Sequence, residues 1–93
     1  MVVGLVRARL SIPEARSLKD KRSVVRSLKD RIRNRMNVSV AEIGDQDYWQ
    51  VAEMGFVTVA AQADVVQTRI SEIQKFLESN PRHILIDIRT ELL

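Results

Sequence analysis

Residues 17–36 read SLKDKRSVVRSLKDRIRNRM, and the rest of the chain is organised around this stretch. Its apolar residues recur at helical spacing, which predicts one amphipathic helix with a stripe facing a core. The stripe consists of Leu18, Val25, Leu28, Ile32 and Met36. Ser17 is suited to cap the N-terminus of this helix, with Asp20 as its partner in a capping box. We therefore expect Leu28 and Ile32 to be buried between the helix and a sheet.

Cations run along the same helix beside the apolar stripe, over a length of about 16 Å. Lys19 and Lys21 add charge in the first turn, where a cation weakens a helix, and few acids are available to pair with them. Lys21 falls inside the apolar sector of the helix, so we expect its ammonium group to emerge past the core or to snorkel. The sequence predicts an anion- or RNA-binding surface of Lys19, Lys21, Arg22, Arg26, Lys29 and Arg33.

The formal net charge of +3 conceals a division of charge along the 93-residue chain. Residues 1–40 hold eleven bases and three acids, whereas residues 41–93 hold four bases and nine acids. Such an asymmetry favours a surface that faces a polyanion. The alternative is that the basic helix face is merely solvated, because charged side chains are ordinary on protein surfaces.

Length and composition indicate one domain spanning residues 1–93. The chain has no cysteine, which removes disulfides, thiolate nucleophiles and cysteine-based zinc sites. This usage fits a reducing compartment, and we expect a cytoplasmic protein. No apolar run approaches the length of about 18 residues that a membrane span needs, so we expect no membrane association.

Four segments alternate in the manner of β-strands, and a second amphipathic helix is expected after the third of them. The predicted order is strand, helix, strand, strand, helix, strand over residues 2–12, 17–36, 38–43, 50–61, 64–79 and 84–92. With right-handed crossovers this order gives an α+β ferredoxin-like fold, the split βαβ sandwich (βαββαβ). Its four-stranded antiparallel sheet has the first and third strands in the centre and two helices on one face.

The opposite face of this sheet is expected to be too apolar to remain in water. A second copy of the chain is the expected cover, through packing of sheet on sheet. The predicted homodimer interface consists of Val3, Leu5, Ile43, Met54, Phe56 and Leu85.

The chain shows no catalytic constellation, so we expect it not to be an enzyme and to need no cofactor. The only histidine, His83, has no identifiable partner for general-base work and fits an ordinary residue at a strand end. Asp45 and Asp47 form a D-x-D pair, but two carboxylates are too few for a metal site, so none is expected.

Aromatic residues are scarce, which bears on nucleic-acid recognition. The RRM shares the expected sheet, but the third strand here carries only Phe56 where that module uses several stacking aromatics. Trp49 follows a predicted turn and is open to two interpretations. It either anchors and covers the end of the hairpin, or it stacks on a base, which would require exposure beside the basic helix.

Three segments of the chain suggest a family. Residues 13–22 (PEARSLKDKR) and residues 37–42 (NVSVAE), followed by Trp49, resemble the YlxP-like family of short bacterial proteins, catalogued as a domain of unknown function. The resemblance extends over nearly the whole chain and implies the same ferredoxin-like fold. Members are often encoded beside genes for translation initiation and ribosome maturation, which implies a link to ribosomal RNA or ribosome assembly. The family implies no catalytic residue, because none is established for it.

These observations lead to competing functional hypotheses. The first is a non-catalytic RNA- or ribosome-associated protein that binds the phosphate backbone through its basic helix face. The second is a self-associating structural or regulatory module with no role in nucleic-acid binding. The third is a small phosphate-handling hydrolase that uses Lys21 and Arg22.

Overall fold

The computed structural model describes residues 1–93. Its elements are β1 (Val2–Ser11), α1 (Leu18–Arg35), β2 (Ser39–Gly44), β3 (Val51–Ala60), α2 (Ala63–Ser79) and β4 (Ile84–Leu92). β1 pairs with β3 and with β4, and β2 pairs with β3, all antiparallel, so the strand order is β2-β3-β1-β4. The predicted ferredoxin-like fold, with β1 and β3 in the centre, is confirmed.

One face of the sheet is covered by both helices, because its apolar side chains must be removed from water. β1 turns its even-numbered residues to this face, as its alternation predicted. The helices contribute the buried residues Val24, Val25, Leu28 and Ile32 from α1 and Val66, Ile73, Phe76 and Leu77 from α2. The predicted burial of Leu28 and Ile32 is therefore confirmed.

The start of α1 follows the predicted capping chemistry in part. The Ser17 hydroxyl accepts a hydrogen bond from the Asp20 backbone N–H at 3.1 Å. The Asp20 carboxylate accepts from the backbone N–H of Arg16 at 2.9 Å, one residue earlier than a capping box requires. The Ser17 hydroxyl thus caps the first turn of α1, and the Asp20 carboxylate binds the backbone just before the helix. Asp20 also places an acid near the positive end of the helix dipole.

The placement of Met54 and Phe56 on the helix-free face is wrong. In the antiparallel register Phe56 lies opposite Val6 and Met54 opposite Ala8, so all four side chains share the helix-covered face. Both Met54 and Phe56 are completely buried there. Both faces of β3 are apolar in sequence, so alternation alone did not indicate which face the helices cover.

Leu85 is also on the helix-covered face, against the prediction. The register of β4 on β1 shifts between Arg9 and Leu10, so that Leu85 lies opposite Leu10 and packs against the core. A bulge of this kind reverses the facing of every residue beyond it. The shift leaves Ile84 and Ile86 exposed instead.

The helix-free face, called the open face below, retains three of the six predicted interface residues. Val3 and Leu5 are half-buried and Ile43 is exposed. Additional apolar side chains are at least two-fifths exposed, namely Val57 and Val59 on β3 and Ile84 and Ile86 on β4. Neither helix combines the length and hydrophobicity that crossing a membrane requires.

Candidate functional site

The side of α1 that points away from the sheet carries only polar residues and forms a shallow surface, called the outer face. No hydrophobic residue lines it. It brings together four cations with two serines, one aspartate and one asparagine. These residues are Lys19, Arg22, Arg26, Arg31, Ser23, Ser27, Asp30 and Asn34. The outer face therefore unites three of the predicted binding residues with Arg31, which the sequence analysis did not select.

The remaining cations of α1 lie along its two flanks. On the β2 side, the Arg33 guanidinium donates a hydrogen bond to the Val40 carbonyl at 3.3 Å, and Lys29 is half-buried. On the α2 side, the Arg35 guanidinium stands 5.3 Å from the centre of the Phe76 ring, a cation–π contact. Arg31 and Arg35 escaped selection because neither falls at the i, i+4, i+7, i+11 spacing of the predicted stripe that begins at Arg22.

None of these cations has an acidic partner. The chain contains three side-chain ion pairs, Arg9 with Asp45, Lys21 with Glu42, and Arg89 with Asp87. Seven basic side chains of α1 therefore carry charge with no carboxylate within 4.0 Å, which are Lys19, Arg22, Arg26, Lys29, Arg31, Arg33 and Arg35. A concentration of unpaired cations on one helix attracts anions, most strongly at low salt.

Lys21, the eighth base of α1, is not part of this surface, and its selection as an anion-binding residue is wrong. Its side chain is 1% exposed. The ammonium donates hydrogen bonds to the carbonyls of Asp45 at 2.7 Å and Val51 at 3.1 Å, with a longer one to Gln46 at 3.4 Å. It neither emerges nor snorkels, because the β2–β3 loop folds over the end of the core and supplies the oxygen atoms.

An acid completes the Lys21 site. The Glu42 Oε2 atom lies 2.8 Å from the Lys21 Nζ atom, and the Glu42 side chain is mostly buried. The Oε2 atom has no other polar partner, so attraction to the Lys21 charge holds the carboxylate there. The arrangement neutralises Lys21 inside the protein and leaves no coordination position for an external anion.

Comparison with known proteins agrees with the resemblance seen in the sequence. The family model described as "Protein of unknown function (DUF503)" matches residues 3–90. The chain belongs to this family. It is also 32% identical over 90 residues to "Uncharacterized protein YlxP" of Bacillus subtilis (strain 168), covering 97% of this chain and 98% of the relative.

Two solved structures similar to this DUF503 member are of designed proteins. One is a de novo designed protein with ferredoxin fold, LFR1 1, with a TM-score of 0.57, 15% identity, and coverage of 98% of this chain and 88% of that one. Another is the de novo designed protein Foldit4, with a TM-score of 0.53, 10% identity, and coverage of 99% and 94%. At such identities the likeness establishes the fold alone.

Two other residues singled out in this DUF503 sequence have definite positions. His83 is buried, with its Nε2 atom 2.8 Å from the Leu77 carbonyl and its Nδ1 atom without a partner. Burial lowers the pKa of His83 below its usual value of 6.5, and the hydrogen bond to Leu77 opposes this only in part. Trp49 is about half-exposed, which is one of the two conditions that base stacking requires, the other being a position beside the basic helix.

The D-x-D pair does not gather into a larger acidic site. Asp45 pairs with the Arg9 guanidinium at 3.3 Å. No group of three or more histidine, aspartate or glutamate side chains is arranged to hold a metal ion. The structure therefore gathers basic side chains on α1 and does not gather acidic side chains around a metal site.

Proposed function

We propose that this protein is a non-catalytic RNA- or ribosome-associated protein that binds the phosphate backbone through the outer face of α1. The observation that carries this proposal is the set of seven α1 cations without acidic partners, four of them on the outer face and three on the flanks beside it. Their charge is not needed to hold the helix, whose core side is apolar and whose N-terminus is capped by Ser17. A polyanion would neutralise these positive charges, which the protein leaves without acidic partners.

The geometry suits backbone binding better than base recognition. Arg22 and Arg33 are eleven residues apart, which corresponds to about 16 Å along a helix and spans two or three phosphates of a nucleic-acid strand. Cations on such a surface position a backbone and read little sequence. The serine hydroxyls between them, Ser23 and Ser27, add neutral donors of the kind that also contact phosphate.

The proposal is non-catalytic because the outer face is suited to hold phosphate rather than to transform it. Its only acid is Asp30 among cations, hydroxyls and an amide. The loss of Lys21 from the surface also removes one of the two residues that the hydrolase hypothesis required. The ribosomal part of the proposal rests on the family resemblance, and such a partner would place the protein in the cytoplasm.

Binding of RNA by a charge-matched pair of variants tests the proposal. The triple variant Arg22→Gln, Arg26→Gln, Arg33→Gln removes three charges from α1, and the control Arg7→Gln, Lys75→Gln, Arg89→Gln removes three exposed charges elsewhere. Affinity for single-stranded RNA, and for isolated ribosomes, is measured at two salt concentrations. We expect the α1 variant to bind all sequences more weakly and the slope of log K against log salt to decrease by up to about 2.

The control should bind like the unmodified protein, because its changes lie away from α1. If the two triple variants lose affinity equally, net charge alone drives binding and the outer face has no special role. If the unmodified protein and the α1 variant bind equally at low salt, the outer face is only solvated.

Self-association through the open face is a second candidate, favoured by one observation. Val57 and Val59 on β3 and Ile43 on β2 are each at least two-fifths exposed on the same face of the sheet. The face also carries Arg7 and Glu53, so a two-fold related copy could match bases to acids around the apolar strip. This candidate keeps the predicted homodimer and replaces Met54, Phe56 and Leu85 with residues that are exposed.

A further inference from the structure

The β2–β3 loop carries the chain's only tyrosine and only tryptophan side by side, and both are exposed. Tyr48 is 64% and Trp49 51% accessible to solvent. Large aromatic side chains contribute most when buried, so an exposed adjacent pair forgoes that stabilisation. Their neighbours in the loop, Gln46, Asp47 and Gln50, are polar and exposed.

The loop that presents these rings is firmly held by the rest of the protein. The Lys21 ammonium donates to carbonyls at both ends of the loop, Asp45 and Val51. Within the loop, the backbone N–H of Tyr48 donates to the Asp45 carbonyl at 3.1 Å, and Asp45 itself has a φ of 57°. A loop whose backbone is held in place in advance loses less entropy when a ligand binds to it.

The same loop adjoins the segment that leads into α1. The Gln50 side chain donates to the carbonyls of Pro13 at 3.3 Å and Ala15 at 3.2 Å. The Gln50 carbonyl accepts from the backbone N–H of Ile12 at 2.8 Å. Trp49 therefore lies one residue from a group bonded to Ala15, and Arg16 follows Ala15 with its exposed guanidinium in no ion pair.

Two of the three acids among residues 42–50 are already neutralised. Asp45 pairs with Arg9 at 3.3 Å, and Glu42 pairs with Lys21 at 2.8 Å. Among residues 42–50 only the Asp47 carboxylate has neither a hydrogen bond nor an ion pair. The loop that carries both rings is thus bonded to the segment that leads to the unpaired cations Arg16 and Lys19.

We propose that Tyr48 and Trp49 form a stacking platform for unpaired bases, so that the ligand of the outer face is single-stranded RNA. This inference rests on the proposed function and names its ligand more narrowly. Bases within a duplex are stacked on one another, and an aromatic side chain can stack on a base only where it is splayed out. Stacking tolerates any sequence, which matches a surface whose cations contact backbone.

The position of the sole tryptophan provides a direct test. The unmodified protein is titrated with a single-stranded oligouridylate and with a blunt RNA duplex of the same length, while its tryptophan emission is recorded. We expect the single strand to quench the emission and the duplex to leave it unchanged. Trp49→Ala should weaken binding of the single strand about 5- to 150-fold and leave duplex binding unaltered, both measured by anisotropy of labelled RNA.

Matched variants separate stacking from structure. Trp49→Phe keeps an aromatic ring and should retain most of the affinity, whereas Trp49→Leu keeps apolar bulk and should not. Because Trp49 is on an exposed loop, these variants should unfold at nearly the same urea concentration as the unmodified protein. Asp47→Asn, which removes the one unpaired acid among residues 42–50, should strengthen binding without changing the extent of quenching.

Three other outcomes would contradict the proposal, and each can be distinguished from the others. If single-stranded RNA binds and the Arg22, Arg26, Arg33 variant loses that binding, but emission and Trp49→Ala affinity are unchanged, the outer face functions without a platform. If neither RNA binds, the platform and the proposed function both fail. If emission changes on dilution of the protein alone, the rings pack against a second copy of the chain.

Discussion

Lys21 places a positive charge where water does not reach, and oxygen atoms from three carbonyls and one carboxylate surround it. At the scale of single residues, the buried charge of Lys21 therefore has a structural role: it holds the β2–β3 loop and Glu42 in place. Its position in the apolar sector was visible in the sequence. Its partners Glu42, Asp45 and Val51 lie 21 to 30 residues further along the chain, and only the folded loop brings them to the ammonium group.

Replacing Lys21 by methionine should therefore be severe. The variant keeps the length of the side chain but leaves the mostly buried Glu42 carboxylate and the loop carbonyls without their cation. Removing one partner of a buried ion pair typically costs about 3–5 kcal/mol. The free energy of unfolding in urea measures the effect, and Lys19→Met, the same change at an exposed site two residues away, should alter it by about 0.5 kcal/mol or less. Similar losses in both variants would show that the buried charge of Lys21 does not stabilise the fold.

His83 should make stability depend on pH in a defined window. Its pKa is lowered in the folded protein by burial, whereas the unfolded chain has the ordinary value of 6.5. As pH falls below about 6.5 the unfolded state takes up a proton that the folded state resists, so the free energy of unfolding decreases until the lowered pKa is reached. Well above pH 6.5 the His83 ring is neutral in both states, so this loss of stability is absent.

Urea denaturation at about pH 7.5 and about pH 5.5 detects this loss, since both lie above the range in which carboxylates titrate. His83→Gln removes the titrating ring and retains a donor for the Leu77 carbonyl, so the variant should lose less stability between the two pH values. An equal loss in both proteins would assign the effect to other groups.

At the scale of elements, the buried side of α1 was predictable from the sequence, whereas the faces that β3 and β4 turn to the helices were not. The helical spacing of Val25, Leu28 and Ile32 admits only one buried side, and the structure buries it. β3 has two apolar faces, so its pattern is compatible with either orientation. β4 contains a bulge that its pattern cannot show, because a bulge is a property of the pairing with β1 at Arg9 and Leu10.

Truncation of the α1 core measures this burial. Leu28→Ala and Ile32→Ala each leave a cavity between α1 and the sheet and should each lower the free energy of unfolding by about 2–5 kcal/mol. Ser27→Ala, a change beside Leu28 on the outer face, should be nearly neutral. Losses below about 1 kcal/mol at both core sites would mean that the helix packs through another side.

At the scale of the whole molecule, the open face governs the oligomeric state. Val57→Asp places a charge in the middle of its apolar strip and should shift a self-associating protein towards monomer in sedimentation while preserving the fold. Phe56→Asp, one residue away but under the helices, should instead prevent folding. Sedimentation of the unmodified chain as a monomer at high concentration would contradict self-association through this face.

The strand order has a consequence for how the chain acquires its structure. β1 is the first strand in the chain, yet its neighbours in the sheet are the third and the fourth, with Gly4 paired to Leu92. On a ribosome, β1 emerges long before either neighbour exists, and loops of some forty to ninety residues must close before it is paired on both sides. Folding should be slower than in a helical bundle of this size, since distant contacts must form first. Throughout that interval an apolar strand remains unshielded, so the nascent protein is most prone to aggregation just before its final strand is made.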